Sequence, residues 1–113
     1  MGVVRVKDGV LFSVIAPGGF RILSAIDRSA QSVIYDLVIT SGTDGEHSGP
    51  NDPHHRGEAY DIRTNDLGEL DKQFILRQTM AYLGTEQFYG FIEAPATDNE
   101  HIHIQVKKGT KYP

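Results

Sequence analysis

The sequence predicts an α+β domain built on a mainly antiparallel sheet with two principal helices. Three observations carry this reading. Two stretches space their apolar residues as helices do, short runs rich in aromatic and β-branched residues separate them, and the last two such runs are neighbours joined by a turn. Strands that follow one another across a short turn pair antiparallel. A chain of 113 residues supports one hydrophobic core and is too short for two, so residues 1–113 are read as a single domain.

The expected order begins with an N-terminal strand. From Pro17 to about Ser32, apolar Phe20, Leu23, Ile26, Ala30 and Val33 recur at helical spacing, and Pro17 suits a first turn because its missing N–H is not needed there. Tyr35 to Thr40 (YDLVIT) reads as a short buried strand. It is stopped by SGTDGEHSGPNDP, whose Gly, Pro, Asp and Asn residues can continue neither strand nor helix, and long loops of this kind in small domains usually carry function. EAYDIRT then reads as a strand carrying Asp61.

Asp66 followed by Glu69 resembles a capping box, and the helix it announces places Leu70, Phe74, Leu76, Met80 and Leu83 on its apolar face before stopping at Gly84. Phe88 to Ala94 (FYGFIEA) and His101 to Lys107 (HIHIQVK) complete the sheet, with PATDNE as the turn between them. Tyr60, Phe88, Tyr89 and Phe91 are read as core and sheet packing rather than as a platform for sugars.

Composition narrows the chemistry. The net charge of −4 argues against a binder of phosphate backbones, since the clustered Lys107, Lys108 and Lys111 sit in an expected tail, and nucleic acid is not the anticipated partner. With no cysteine, a metal would have to be held by histidine and carboxylate. No apolar run approaches the roughly 20 residues of a membrane span. The apolar start of the chain is broken by Lys7, Asp8 and Gly9, so no signal peptide is expected and the protein is read as cytoplasmic when made, and monomeric.

HIHIQV alternates strictly, so His101, His103 and Gln105 share one face while Ile102, Ile104 and Val106 share the other. Such a face is either solvated polar surface or a ligand-bearing one. Upstream, His54 ends the proline-rich loop, Gly57 allows a close backbone turn, and Asp61 shares strand parity with small Ala59. Two imidazoles and one carboxylate make three ligands with a fourth position left for water, the pattern of catalytic rather than structural zinc. His55, adjacent to His54 on an extended chain, points the other way.

HHRGEAYD contains His-x-x-Gly-x-Ala-x-Asp at His54, Gly57, Ala59 and Asp61, and EHIH contains both Glu-x-x-His and His-x-His at Glu100, His101 and His103. In these motifs and their order the chain resembles the zinc D-Ala-D-Ala peptidase family, which takes in VanX- and VanY-like peptidases, phage L-alanyl-D-glutamate endolysins and the Hedgehog signalling domain. The resemblance runs from the first helix to HIHIQV. It implies a Hedgehog/DD-peptidase-like fold with His54, Asp61 and His103 as ligands of Zn2+. Glu100 would match the general base, and His101 the first histidine of His-x-His members, beside the metal. Both stay open as the proton carrier, because strict strand alternation turns Glu100 to the face opposite His103 unless the chain enters the strand irregularly at TDNE.

The resemblance implies a metallopeptidase hydrolysing a peptidoglycan stem-peptide bond, as a D-Ala-D-Ala carboxypeptidase or an L-Ala-D-Glu endopeptidase, acting on the cell wall after release if it is a phage endolysin. A catalytically silent zinc-stabilised binding module, or a phage structural domain, is the alternative. Asp52 stands where the family usually has serine, and the Tyr-Arg-Ser that follows Ser-Gly in VanY-like members is absent. Asp44, Glu46, His47 and Asp52 are read as solvated loop residues, and Arg63 as the partner of a neighbouring carboxylate.

Overall fold

The structure is a computed structural model and describes residues 1–44 and 52–109, so Glu46, His47 and Lys111 lie outside the described residues. The elements run β1 (Val4–Val6), α1 (Pro17–Gln31), β2 (Leu37–Ser41), β3 (Ala59–Arg63), α2 (Glu69–Leu83), β4 (Phe88–Glu93) and β5 (His101–Val106). They form one five-stranded sheet in the order β1-β2-β3-β5-β4. The α+β class and the mostly antiparallel sheet agree with the sequence reading. Among the described residues only β1 and β2 pair in parallel, through Val4 to Leu37 and Val6 to Ile39, because α1 crosses over between them.

The strand parity read from HIHIQV decides the two faces of the sheet. Ile102, Ile104 and Val106 turn inward with Tyr60 and Ile62, where Ile22, Ala25, Ile26 and Ala30 of α1 and Ile75 and Leu83 of α2 cover them. Both helices therefore sit on one face, and the opposite face of β3, β5 and β4 is left to build a site. Burying apolar side chains of this size is worth ~1.5–3 kcal/mol each, which fixes the strand register, since a slip of one residue would turn the isoleucines out and the histidines in.

The helices depart from the sequence reading in which residues they bury. Phe20 is 61% exposed and Leu70 is 86% exposed, while Ile22, Ala25 and Ser29 of α1 and Ile75 and Thr79 of α2 are buried. The two helices pack on each other as well as on the sheet, and their buried contact includes a hydrogen bond between the Ser29 and Thr79 hydroxyls at 2.8 Å. A polar pair of this kind satisfies itself and is invisible to an apolar periodicity. The capping box is also absent: α2 starts from Gly68, because Asp66 lies in a turn closed by the Leu67 N–H to the Thr64 carbonyl at 2.9 Å, and Glu69 pairs with Lys72 instead of reaching back. Gly84 ends the helix at φ 79°, as expected of a C-terminal glycine.

Candidate metal centre

Three strands and one turn deliver the site. In the β3–β5 ladder Asp61 stands directly opposite His103, and on the far side of β5 Phe91 stands opposite the same His103. Asp61 and His103 therefore share a row across the sheet, close enough to touch. His54 comes from the turn just before β3. Its backbone N–H donates to Asp52 Oδ1 at 2.9 Å, its carbonyl accepts from the Gly57 N–H at 3.0 Å, and the turn is pinned to the start of α1 by the Ala16 N–H donating to the Gly57 carbonyl at 3.2 Å. Asp52 thus organises the turn rather than lying solvated. Gly57 adopts φ 70°, and a Cβ there would stand 2.1 Å from the Val14 carbonyl oxygen, so the turn accepts no other residue without shifting.

His54, Asp61 and His103 are all buried, and one ligand atom from each lies within 4.8 Å of the others. His54 Nε2 is 3.3 Å and His103 Nδ1 is 2.9 Å from the same oxygen, Asp61 Oδ1. The outer nitrogen of each ring is committed elsewhere. His54 Nδ1 donates to the Gly42 carbonyl at 3.0 Å, since a carbonyl can only accept, and this hydrogen bond leaves Nε2 facing Asp61. His103 Nε2 donates to Gln105 Oε1 at 2.8 Å, and the Gln105 amide is oriented by donating its own Nε2 to the Val106 carbonyl at 3.3 Å. Both imidazoles so aim their inner nitrogen at one carboxylate oxygen, an arrangement that a cation, either a proton or a metal ion, holds together.

The electrostatics record the same demand. Burial would raise the Asp61 carboxyl, but hydrogen bonds with His103 and His54 and the positive charge of nearby imidazoles outweigh it and hold Asp61 well below the usual carboxylate range. Burial pushes His103 down, yet its bonds to Asp61 and Gln105 bring it above the ordinary imidazole value. A metal ion can replace the proton that this geometry favours. Ligand atoms about 2.0–2.1 Å from a tetrahedral ion sit roughly 3.3 Å from one another; the two separations to Asp61 Oδ1 are 2.9 and 3.3 Å, and all three ligand atoms lie within 4.8 Å of one another. The three residues thus form a buried group able to hold a metal ion, with outer acceptors of the kind that orient ligating histidines.

The group lies in a cleft of about 850 Å³ on the exposed sheet face. His101 lines it, with Nδ1 2.7 Å from the Asn99 carbonyl, Nε2 2.9 Å from Glu93 Oε1, and Nε2 3.7 Å from Asp61 Oδ2. Glu100 borders the same cleft, but its carboxylate turns toward α2, as strand alternation requires. Oε1 accepts from the Thr64 hydroxyl at 2.8 Å and Lys72 Nζ at 3.1 Å, and Oε2 accepts from Lys72 Nζ at 3.0 Å and the Ala96 N–H at 2.9 Å. The Ala96 and Lys72 bonds, with that from Thr64, bring Glu100 down to about 2. Ala94 and Ala96 hold left-handed φ of 51° and 63°, a conformation costly for alanine, and the Ala96 N–H is fixed there by Glu100.

His55 is half-buried and outside the metal-holding group. Asp44 Oδ1 accepts from the Gly42 and Leu11 N–H groups, which steadies the carbonyl that receives His54. Arg63 lines the cleft and, among the described residues, pairs with no carboxylate, contrary to the sequence reading. The aromatic reading divides. Tyr60 and Phe88 are buried, whereas Tyr89 and Phe91 are 38% and 40% exposed and line the cleft beside His103. Alternation in FYGFIE held that signal, since Tyr89, Phe91 and Glu93 share a parity, but only the β4–β5 register assigns that parity to the face of His103.

No helix among the described residues is long and apolar enough to cross a membrane. No family model, curated protein or solved structure matches the chain.

Proposed function

We propose that the chain is a zinc-dependent peptidase that hydrolyses a stem-peptide bond of peptidoglycan. The observation that carries the reading is the convergence of His54 Nε2 and His103 Nδ1 on Asp61 Oδ1, each ring held from behind by an acceptor, on the floor of an open cleft. The motif order His-x-x-Gly-x-Ala-x-Asp then His-x-His supports zinc and the substrate class by resemblance. A zinc ion in such a three-ligand site supplies Lewis acidity, lowering the pKa of water and stabilising negative charge on an attacked carbonyl.

The chain's own residues divide the remaining work. His54, Asp61 and His103 hold the ion. His101, with Nε2 3.7 Å from Asp61 Oδ2, is the group placed to receive a proton from the attacking water and pass it to the leaving amine once the half-exposed Glu93 carboxylate, which holds Nε2 at 2.9 Å, turns away. Glu100, spanned by Lys72, Thr64 and the Ala96 N–H, holds the turn that presents His101. A general base must first be freed to take a proton: both Glu100 oxygens are held in a buried network, whereas the Glu93 carboxylate that holds His101 is half-exposed.

The test is mass spectrometry of purified peptidoglycan fragments incubated with the protein, with chelator and with zinc restored. Chelator-sensitive release of D-alanine, or of stem peptide freed at L-alanine, is the expected result. Intact fragments from zinc-loaded protein would sink the peptidase reading. The engagement of Glu100 favours a second reading, a zinc-stabilised binding module without turnover. That reading expects zinc binding and fragment binding with no product.

A further inference from the structure

The cleft contains a feature that the metal does not use. Phe91 stands in the sheet row of Asp61 and His103, and Tyr89 stands in the next row beside Gln105. The two rings stack at 6.0 Å between centroids with 14° between their planes, and the Phe91 ring lies 5.4 Å from that of His103. The two rings form an aromatic shelf that starts at a metal-holding histidine and runs away from it along β4, with part of each ring exposed to the cleft. Both rings leave about two-fifths of their surface exposed, 38% for Tyr89 and 40% for Phe91, although aromatic rings are the side chains whose burial stabilises a core most.

We propose that this shelf is a subsite for the amino-sugar ring to which a stem peptide is attached, and that it directs cleavage to the sugar-proximal L-alanyl bond. The inference rests on the peptidase reading above. A stem peptide contains no aromatic side chain; the ring in the polymer is the pyranose, whose C–H face packs flat against an aromatic plane while its hydroxyl and acetamido groups stay at the rim. The rim here is polar, with Gln105 beside Tyr89 and Glu93 and Asn99 at the other end of the cleft.

Reach selects the bond. The far ring, Tyr89, is two ring spacings, 5.4 and 6.0 Å, from the His103 ring. The L-alanyl carbonyl is separated from the sugar by the equivalent of two extended residues, about 7 Å, which puts the sugar on the shelf when that carbonyl is at the metal. The D-Ala-D-Ala bond lies five residue-equivalents from the sugar, about 17 Å, which carries the ring past Tyr89.

The experiment compares N-acetylmuramoyl-L-alanyl-D-glutamate with N-lactoyl-L-alanyl-D-glutamate, which differ only in the sugar, using zinc-loaded full-length protein. The expected kcat/KM is about tenfold higher for the sugar-bearing compound, and Tyr89→Ala and Phe91→Leu bring the ratio of the two toward one. Equal rates in the unaltered protein would overturn the subsite while leaving the peptidase reading standing. Preferential cleavage of a compound with phenylalanine in place of L-alanine would reassign the shelf to a peptide side chain and overturn it too. Cleavage of neither compound counts against the peptidase reading, and binding then decides the shelf: in NMR titrations the muramoyl compound moves the Tyr89 and Phe91 ring resonances and the lactoyl compound does not. Resonances that stay still with both would overturn the proposal.

Discussion

His103 and Asp61 face one another across β5 and β3 with Nδ1 and Oδ1 2.9 Å apart, while the other nitrogen of His103 is held by Gln105. A metal-free protein must keep a proton in that gap, and a metal ion relieves it of the proton. Metal binding is therefore linked to folding. At zinc a hundredfold above its Kd the folded state gains about 2.7 kcal/mol. His54→Ala and Asp61→Ala should abolish that gain. Thermal melts with and without zinc check it, and an equal zinc-dependent shift in the variants would remove these residues from the site.

Gln105 tests the outer support separately from the ligands. Gln105→Leu keeps a side chain of similar size on β5 but removes the acceptor of the His103 Nε2–H. Loss of such a partner weakens metal affinity by about 10–100-fold while the ligands stay in place. Calorimetric titration of zinc into the variant gives the number. An unchanged affinity would mean that Asp61 alone orients His103.

The parts of this architecture governed by parity were legible in the sequence. HIHIQV and EAYDIRT gave the buried and site-facing residues of β5 and β3 because side chains alternate along a strand whatever it pairs with. Register was not legible. It is the β4–β5 pairing that carries Tyr89, Phe91 and Glu93 to the metal side, and nothing local in FYGFIE says which side that is. The helix faces were not legible for a different reason: α1 buries Ser29 against Thr79 of α2, and α2 directs Lys72 to Glu100. Polar groups that satisfy each other between elements leave no apolar pattern to read. Gly42 was unreadable in principle, since it serves through its carbonyl and any residue has one.

The Lys72–Glu100 pair predicts an acid limb of stability. Glu100 falls from 4.5 to about 2 in the folded protein, so its contribution is present above the unfolded value and is lost as the pH drops through about 2. Lys72 is raised by Glu69 and Glu100, so its share is present below its ordinary value and lost only as the pH rises past the folded one, far from the acid limb. Glu100→Gln should therefore be less stable than the parent at neutral pH, with the difference shrinking between about pH 4.5 and 2. Circular dichroism melts across that window measure it. Parallel curves would show that the four hydrogen bonds contribute no proton-linked stability.

Gly57 joins backbone conformation to the metal. Its φ of 70° turns the chain from His54 into β3, and an added Cβ would meet the Val14 carbonyl oxygen at 2.1 Å, so Gly57→Ala has to push the turn away from the start of α1. The strain costs of order 1–3 kcal/mol, and it falls on the segment that carries a ligand. The variant should lose stability and also bind zinc more weakly, because His54 Nε2 is displaced from Asp61 Oδ1 and Nδ1 from the Gly42 carbonyl. A core variant such as Ile75→Val, on the far side of the sheet, costs about 0.5–1.5 kcal/mol and leaves zinc affinity untouched. Comparing the two by melts and calorimetry separates local positioning from global destabilisation. If Gly57→Ala and Ile75→Val lose stability alike and bind zinc alike, the turn has no special hold on His54.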